Sequence, residues 1–153
     1  MNENAISIRP AKAQDAEIVA LFNQKMAWET EQKKLSEELV KPGSLEGITN
    51  PDRCRYFIAE INADIAGQAM VTYEWSDWRN GEFWWLQSVY VAPQYRGRGV
   101  FRKILSHIEA QARASKQVCG LRLYVENDNE LGQTVYHRLG MSDAGYRVFE
   151  KEF

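Results

Sequence analysis

The chain has 153 residues, of which 44% are hydrophobic and 26% charged, and these values are typical of one soluble globular domain spanning residues 1–153. The net charge is −2, from 19 Lys and Arg against 21 Asp and Glu. This balance argues against nucleic-acid binding, which needs a cationic field over much of the surface. No apolar run approaches the ~18 residues of a membrane-spanning helix, so we expect no membrane partner.

The first half of the chain changes from strand-like to helical patterns and back. Pro10 ends an alternating segment, and Ser36, followed by two acids, is a plausible helix cap. Pro42 and Gly43 are expected to end that second helix after a short run. The pattern predicts a strand at residues 6–9 and helices at 15–26 and 36–43. It then predicts a β-hairpin with strands at 56–61 and 65–74.

The second half begins with a strongly apolar, β-prone segment that is expected to be buried on both faces. Apolar positions at helical spacing follow a glycine-containing turn, and Gly140 is the expected C-cap of a later helix. The predicted elements are strand, helix, strand, helix and strand, at residues 83–91, 100–112, 121–126, 130–139 and 146–151. Together with the first half, they predict a single three-layer α/β (α+β) domain with one mixed sheet and helices packed on its faces.

The cysteines and histidines are few: Cys54, Cys119, His107 and His137. Because no C-x-x-C pair is present, two reduced thiols in a cytoplasmic protein are expected, with a disulfide or a nucleophile as the alternatives. Residues 1–4 show no basic segment leading into an apolar stretch, which also favours a cytoplasmic location. Two histidines are too few for a His-rich zinc site, so we expect no metal.

The segment Gln94-Tyr95-Arg96-Gly97-Arg98-Gly99 joins a buried strand to a helix and is suited to binding phosphate. Its glycines let the backbone approach an anion, and the helix N-terminus adds partial positive charge. The residues after it do not match a P-loop, which needs Gly-Lys-Ser/Thr, or a dinucleotide fingerprint, which needs glycine at position 102. A basic strand-to-helix turn with no ligand remains the alternative for this segment alone.

Two motifs taken together resemble the GNAT superfamily of N-acetyltransferases. The pattern Q-x-x-G-x-G after Val-Ala-Pro is similar to the acetyl-CoA loop of that family. A second stretch is similar to the family signature N-x-x-A-x-x-x-Y-x-x-x-G-F, with its matching positions at Asn129, Gly132, Tyr136, Gly140 and Met141. Gly132 and Met141 replace the commoner alanine and phenylalanine, and Phe101 stands where the family often has a small residue. The resemblance covers nearly the whole chain.

The resemblance implies a mostly antiparallel sheet of about six or seven strands, with two central strands splayed apart around acetyl-CoA. The pantetheine arm is then expected along Val89, Tyr90 and Val91, and the pyrophosphate at the backbone of the glycine turn. Asn129 is expected to contact pantetheine from the other side. The cofactor-binding residues implied in the turn and the helix after it are Gln94, Arg96, Gly97, Arg98, Gly99, Val100, Phe101 and Arg102. Dimers are common in this family, so a homodimer is an expectation.

The implied mechanism is direct transfer, in which an amine attacks the thioester and a backbone N–H near Tyr90 or Val91 stabilises the oxyanion. Tyr136 is the candidate acid for the departing thiolate, and it also contacts the cofactor; its alternative role is that of a core tyrosine. The strand positions where some family members carry a carboxylate base hold Gln87 and Ser88 here. Glu74 is therefore the preferred base, because it ends the neighbouring strand. The other candidate bases are Asp77, Glu82, Glu29 and Glu31.

Two short segments combine indole and carboxylate groups, a pairing that suits a cationic amine with an apolar body. The substrate-binding candidates are Trp28, Glu29, Trp75, Asp77 and Trp78. Filling of the core or of a dimer interface is the alternative role for the tryptophans, and it is the favoured one for Trp84 and Trp85.

Three functions remain open at this point. The first is acetylation of a small-molecule primary amine with acetyl-CoA, which the tryptophan-rich loops favour because they suggest a closed pocket. The second is acetylation of protein lysines or N-termini, and the third is a non-catalytic module that senses acyl-CoA. Polyamines are a less favoured acceptor because the central strand lacks the expected acids.

Overall fold

The structure, a computed structural model, describes residues 5–153, and the expectation drawn from residues 1–4 lies outside this range. The chain divides into two compact units after Leu123. The first unit contains five strands and three α-helices. They are β1 (Ile6–Pro10), α1 (Ala16–Glu31), α2 (Glu37–Thr49), β2 (Cys54–Ile61), β3 (Asp64–Ser76), β4 (Gly81–Val91), α3 (Val100–Ala114) and β5 (Val118–Leu123), with 3₁₀ turns at Ala13–Asp15 and Pro93–Tyr95.

The strands form one sheet in the order β1-β2-β3-β4-β5. The first four strands pair antiparallel, whereas β5 pairs parallel to β4 and is reached through α3. The mixed sheet with helices is therefore confirmed, and so is the fold class. The expected number of six or seven strands is wrong, since residues 5–153 contain five.

Helices cover both faces of the sheet, as the side chains of β2 show. Tyr56 and Ile58 pack with Val19 of α1, whereas the ring of Phe57, on the opposite face, lies 5.6 Å from the ring of His107 in α3. The predicted apolar stripe of α3 is buried, with Val100, Ile104, Leu105, Ile108 and Ala112 all in the core. The first unit thus has three layers: α1 on one face, the sheet in the middle and α3 on the other face. Alternating side chains of the strands serve both faces, and one apolar stripe of each helix faces the sheet.

Helix α2 differs from its prediction because it continues through Pro42 and Gly43 to Thr49. Ser44 and Gly47, just beyond the proline, are buried, and the Cys54 thiol of β2 donates to the Gly47 carbonyl at 3.3 Å. Packing of this last part of α2 against β2 therefore outweighs the helix-breaking tendency of proline.

Helix α1 also extends beyond its predicted end, from Met26 to Glu31, and Gln32 terminates it in a left-handed conformation. Strand β5 begins and ends three residues before its predicted position, 121–126. Both differences lie at element ends, where local sequence signals are weakest.

The second unit contains α4 (Glu130–Arg138). Asn129 is its N-cap, since the Asn129 side-chain oxygen accepts from the Gly132 N–H at 2.8 Å. Gly140 follows the helix at φ +85°, and the Met141 N–H donates to the Tyr136 carbonyl at 3.0 Å, which completes a Schellman motif. The predicted strand at 146–151 is wrong, because these residues form no strand; β-propensity is realised only where a neighbouring strand supplies backbone partners.

Candidate active site

Strand β4 pairs with β5 only over its first half, and we call the side of its second half that has no strand partner within residues 5–123 its open edge. The parallel ladder with β5 runs from the pair Glu82 and Val118 to the pair Leu86 and Leu123 and ends there. Within residues 5–123, the part of β4 from 87 to 91 pairs only with β3. Among residues 5–123, one side of residues 87–91 of β4 therefore has no strand partner, and the backbone of Val89–Val91 lies along this open part. The splaying of two strands that the family resemblance implies stays a prediction.

A β-bulge interrupts β4 at this open part. Gln68 of β3 pairs with Tyr90 and Met70 pairs with Gln87, so Ala69 faces both Ser88 and Val89. Ser88 has a φ of +51°, a left-handed conformation that an L residue adopts only at a cost. Bulges of this kind re-aim backbone groups and side chains, and they are common beside active sites.

The glycine turn after β4 presents backbone to solvent. Gly97 and Gly99 have φ values of +76° and +81°, and a Cβ built at either position meets nothing within 4 Å. Gly99 is also the N-cap of α3 and supplies no side-chain hydrogen bond to the helix. The N-cap of α3 therefore leaves room at the start of the helix, and a phosphate fits such a position.

Polar and charged side chains of the turn and of the first turn of α3 are exposed, as binding of a phosphate requires. Gln94, Arg98 and Arg102 all face solvent, and the Arg98 guanidinium lies 5.6 Å from the centre of the Tyr95 ring. These groups and the open backbone fit the pyrophosphate of coenzyme A.

Arg96 connects the turn to α1. Its Nη2 donates to Glu29 Oε2 at 2.7 Å and its Nε donates to the Val91 carbonyl at 2.9 Å. The Tyr90 hydroxyl donates to Glu29 Oε1 at 2.9 Å. The Arg96 guanidinium and the Tyr90 hydroxyl together hold the pKa of the Glu29 carboxyl below its usual range. Burial and the neighbouring carboxylate raise the pKa of Tyr90.

The position of Glu29 has a chemical consequence. It lies at the same end of β4 as Val89–Val91, which is the end where the acyl group is expected. A carboxylate with a lowered pKa is a weak base that keeps its negative charge at neutral pH, and the ion pair with Arg96 offsets part of that charge here. Trp28, the neighbouring substrate candidate, has a 60% exposed side chain.

Glu74 lies at the opposite end of β4 from the expected acyl position. Because β3 runs antiparallel to β4, the end of β3 pairs with the start of β4, and Glu74 faces Phe83. The distance along the strand from Phe83 to Tyr90 is about 20 Å. The Glu74 carboxylate also accepts from Arg122 at 2.6 Å and from Trp85 at 3.3 Å. The position of Glu74 at the end of its own strand therefore takes it away from Val89–Val91, so that position gives no support for its assignment as the base.

The remaining substrate candidates lie at that same far end. Trp75, Asp77 and Trp78 belong to the β3–β4 hairpin, where Trp75 is 63% and Trp78 is 87% exposed. Asp77 accepts the backbone N–H of Trp78 at 3.0 Å, as a turn residue does. The structure thus separates these residues from Trp28 and Glu29, with which the sequence had grouped them. The favoured core role is confirmed for Trp84, which is 3% exposed, whereas Trp85 is only half-buried.

Tyr136 lies on α4 in the second unit. Its side chain is half-buried, and burial raises the pKa of its phenol above the ordinary value near 10. The phenol therefore stays protonated at neutral pH and is able to act as a proton donor.

Within residues 5–153, no group of three or more His, Cys, Asp and Glu side chains is arranged to hold a metal ion. Over the same range, no helix combines the length and hydrophobicity that crossing a membrane requires. Cys54 is buried and Cys119 is exposed, and both are free thiols.

A strand edge that leads into a glycine turn at a helix N-terminus suits an extended, phosphate-bearing ligand. The sequence model of the Acetyltransferase (GNAT) family matches residues 16–141. The chain therefore belongs to the GNAT family. It is an acetyltransferase of a family that uses acetyl-CoA, and the resemblance drawn from the two motifs is confirmed.

Individual proteins and structures agree with this assignment. The chain is 28% identical over 162 residues to thialysine N-epsilon-acetyltransferase from Bos taurus, covering 96% of this chain and 92% of that protein. The crystal structure of a possible acetyltransferase from Clostridium difficile 630 matches with 36% identity and a TM-score of 0.91, over 97% of each chain. A predicted acetyltransferase from Clostridium acetobutylicum, solved with acetyl-CoA, shares the fold with 18% identity and a TM-score of 0.76, over 96% of each chain.

The sequence reasoning missed two residues of this region, Asn23 and Gln68, and it considered Ser88 only as a position without a carboxylate. Gln68 is fully buried, and its amide nitrogen donates to Asn23 Oδ1 at 2.9 Å and to the Ser88 carbonyl at 3.2 Å. The only available signal was a glutamine within an otherwise apolar stretch of β3, between Ala66 and Ala69. That signal gives no indication of the partners.

Proposed function

We propose that the protein transfers the acetyl group of acetyl-CoA directly to the primary amine of a small molecule. The observation that carries this proposal is the continuity between the bulged, open edge of β4 and the glycine turn at the start of α3. One extended ligand is able to contact both, with its phosphates at the turn and its acyl end at the bulge. The similarity to thialysine N-epsilon-acetyltransferase, whose name describes acetylation of an amine, supports a small-molecule acceptor.

Strand β4 and the glycine turn are proposed to bind different parts of acetyl-CoA. Backbone groups of Val89–Val91 bind the pantetheine arm as an added strand would, and N–H groups from Arg96 to Phe101 bind the pyrophosphate. Arg98 and Arg102 add full positive charges near the turn. Bound acetyl-CoA supplies an activated thioester carbonyl. The N–H groups at the bulge then donate hydrogen bonds to the carbonyl oxygen as negative charge develops on it.

The acceptor is proposed to bind beside the end of α1. Glu29 supplies negative charge there, and Trp28 supplies an exposed aromatic face, which together suit a cationic amine with an apolar body. Because the Glu29 carboxyl has a lowered pKa, we propose that it binds the amine rather than acting as the general base. The proton that the amine loses is assigned to solvent water.

Tyr136 is proposed as the acid that protonates the departing thiolate of coenzyme A. This assignment rests on the N-x-x-A-x-x-x-Y signature and on the protonated state of the phenol at neutral pH. A thiol with a pKa near 8.5 and a phenol with a pKa above 10 are close enough for proton transfer with a modest penalty. The match of the family to residues 16–141 also supports treatment of residues 1–153 as a single catalytic domain.

The test is release of free thiol from acetyl-CoA in the presence of a panel of small amines, amino acids, polyamines and lysine peptides. We expect turnover with one class of small primary amines and none with peptides. Turnover with peptides alone would favour a protein acetyltransferase. Binding of acetyl-CoA without turnover on any amine would favour an acyl-CoA sensor.

A further inference from the structure

A buried polar cluster lies behind the β4 bulge and joins four elements of the fold. It consists of Asn23 of α1, Tyr56 of β2, Gln68 of β3 and Ser88 of β4, and we call it the bulge cluster. Gln68 donates to both Asn23 and the Ser88 carbonyl. Burial raises the pKa of the Tyr56 hydroxyl, and the side chains of Asn23 and Ser88, which lie near this hydroxyl, lower it. The rest of this region is apolar, with Val19, Ile58, Phe22 and Tyr90 all buried.

Gln68 is an unfavourable residue for this position if packing alone is considered. Its side chain is 0% exposed, and its carbonyl oxygen Oε1 has no hydrogen-bond partner. A methionine fills nearly the same volume without burying an unpaired acceptor. Glutamine differs from methionine in its two amide N–H donors. Both donate hydrogen bonds here, one to Asn23 and one to the Ser88 carbonyl.

One of these donors fixes a peptide group at the bulge. The Ser88 carbonyl and the Val89 N–H belong to the same planar trans peptide, so they point in opposite directions, and residues 5–153 contain no cis peptide bond. When Gln68 holds the carbonyl towards the cluster, the Val89 N–H is directed away from it. The left-handed φ of Ser88 is a strained conformation that only surrounding contacts maintain.

We propose that Gln68, supported by Asn23, is a positioning residue for acetyl transfer. It fixes the Ser88–Val89 peptide group, so that the N–H groups at the bulge meet the thioester carbonyl in one orientation. This inference rests on the proposed function, because the reaction that Gln68 is proposed to assist is acetyl transfer at β4. Glutamine contributes through geometry, because it contacts neither reactant.

The first test compares Gln68→Met with a matched control, Thr72→Val. The control removes another side-chain hydrogen bond between β3 and β4, in which Gln87 Nε2 donates to Thr72 Oγ1 at 2.7 Å. We expect kcat of Gln68→Met to fall roughly 10- to 100-fold, as small misplacements in active sites do. KM for acetyl-CoA should change by less than about twofold, and Thr72→Val should keep kcat near wild type. Wild-type kcat in a folded Gln68→Met protein overturns the proposal.

A second variant, Gln68→Glu, provides a pH signature that a purely structural role would not produce. Burial raises the pKa of a carboxyl at this position, and only the protonated form has an O–H to donate to the Ser88 carbonyl. The activity of Gln68→Glu relative to wild type should therefore rise as the pH falls from about 9 to about 6. A ratio that stays constant over this range, while both proteins remain folded by circular dichroism, contradicts the proposal.

A third measurement separates failure of this inference from failure of the proposed function. Hydrogen exchange at the paired β3–β4 amides beside the bulge, in residues 67–70 and 87, reports the bulge without any acceptor or turnover, because cross-strand pairing protects these amides. We expect exchange at least tenfold faster in Gln68→Met than in Thr72→Val. If wild type acetylates no amine but this difference is found, the proposed function fails and the positioning by Gln68 stands. Equal exchange in the two variants overturns the positioning role even if wild type is an active enzyme.

Discussion

Replacement of Gly99 by alanine separates the conformational role of this glycine from its role in binding. Gly99 has a φ of +81° and open space around a built Cβ, so the added methyl group causes no clash. The left-handed conformation costs an alanine roughly 1–2 kcal/mol, part of which is recovered from the lower entropy of the unfolded chain. We expect the melting temperature to fall by about 2–4 °C for a net loss of about 1 kcal/mol.

The effect on acetyl-CoA binding should be larger, because the methyl group enters the space where the pyrophosphate is expected. Loss of one charge-assisted hydrogen bond, worth about 1.5–3 kcal/mol, weakens binding roughly 10- to 100-fold. The matched control is Gly145→Ala, since Gly145 has a φ of +80° and equally open space. Isothermal titration calorimetry and thermal unfolding measure both effects. Equal dissociation constants for the two variants, with equal losses of stability, would refute the placement of the pyrophosphate.

Three further outcomes are expected. Tyr136→Phe should slow turnover at least roughly tenfold with nearly unchanged affinity for acetyl-CoA, whereas the exposed Tyr146→Phe should not; equal rates contradict the acid assignment. Acetyl-CoA at about 100 times its dissociation constant should stabilise the fold by roughly 2.7 kcal/mol, and an unchanged melting temperature would argue against binding. The Arg9 guanidinium lowers the pKa of the buried Asp15 carboxyl, so this ion pair contributes stability above about pH 4 and loses it as the pH falls further. Urea titrations at high and low pH should accordingly show a smaller pH dependence for Asp15→Asn, and an unchanged dependence would contradict this reasoning.

The parts of the site that follow from local pattern were predictable from the sequence. The apolar stripe of α3, the existence of strand β4 and the turn between them depend on residues within about ten positions of one another, whereas the expected burial of β4 on both faces is wrong, because its second half is mostly half-buried. Side-chain periodicity and glycine placement therefore indicate them directly. The same holds for the end of α4, where Gly140 supplies the conformation that the Schellman motif requires.

The parts that depend on pairing between distant segments were not predictable. Glu74 seemed close to the acyl end of β4 because it ends β3, but antiparallel pairing places it opposite Phe83. The left-handed Ser88 arises from a register shift between β3 and β4 that no residue type in the sequence signals. Helix α2 continues past Pro42 because it packs on β2, and this contact too is invisible in a local window.

A crystal structure of the protein with acetyl-CoA tests the central claim most directly. We predict the pyrophosphate against the N–H groups from Arg96 to Phe101 and the thioester carbonyl at the bulge of β4. Acetyl-CoA bound at any other surface, with these N–H groups facing only solvent, would contradict the account.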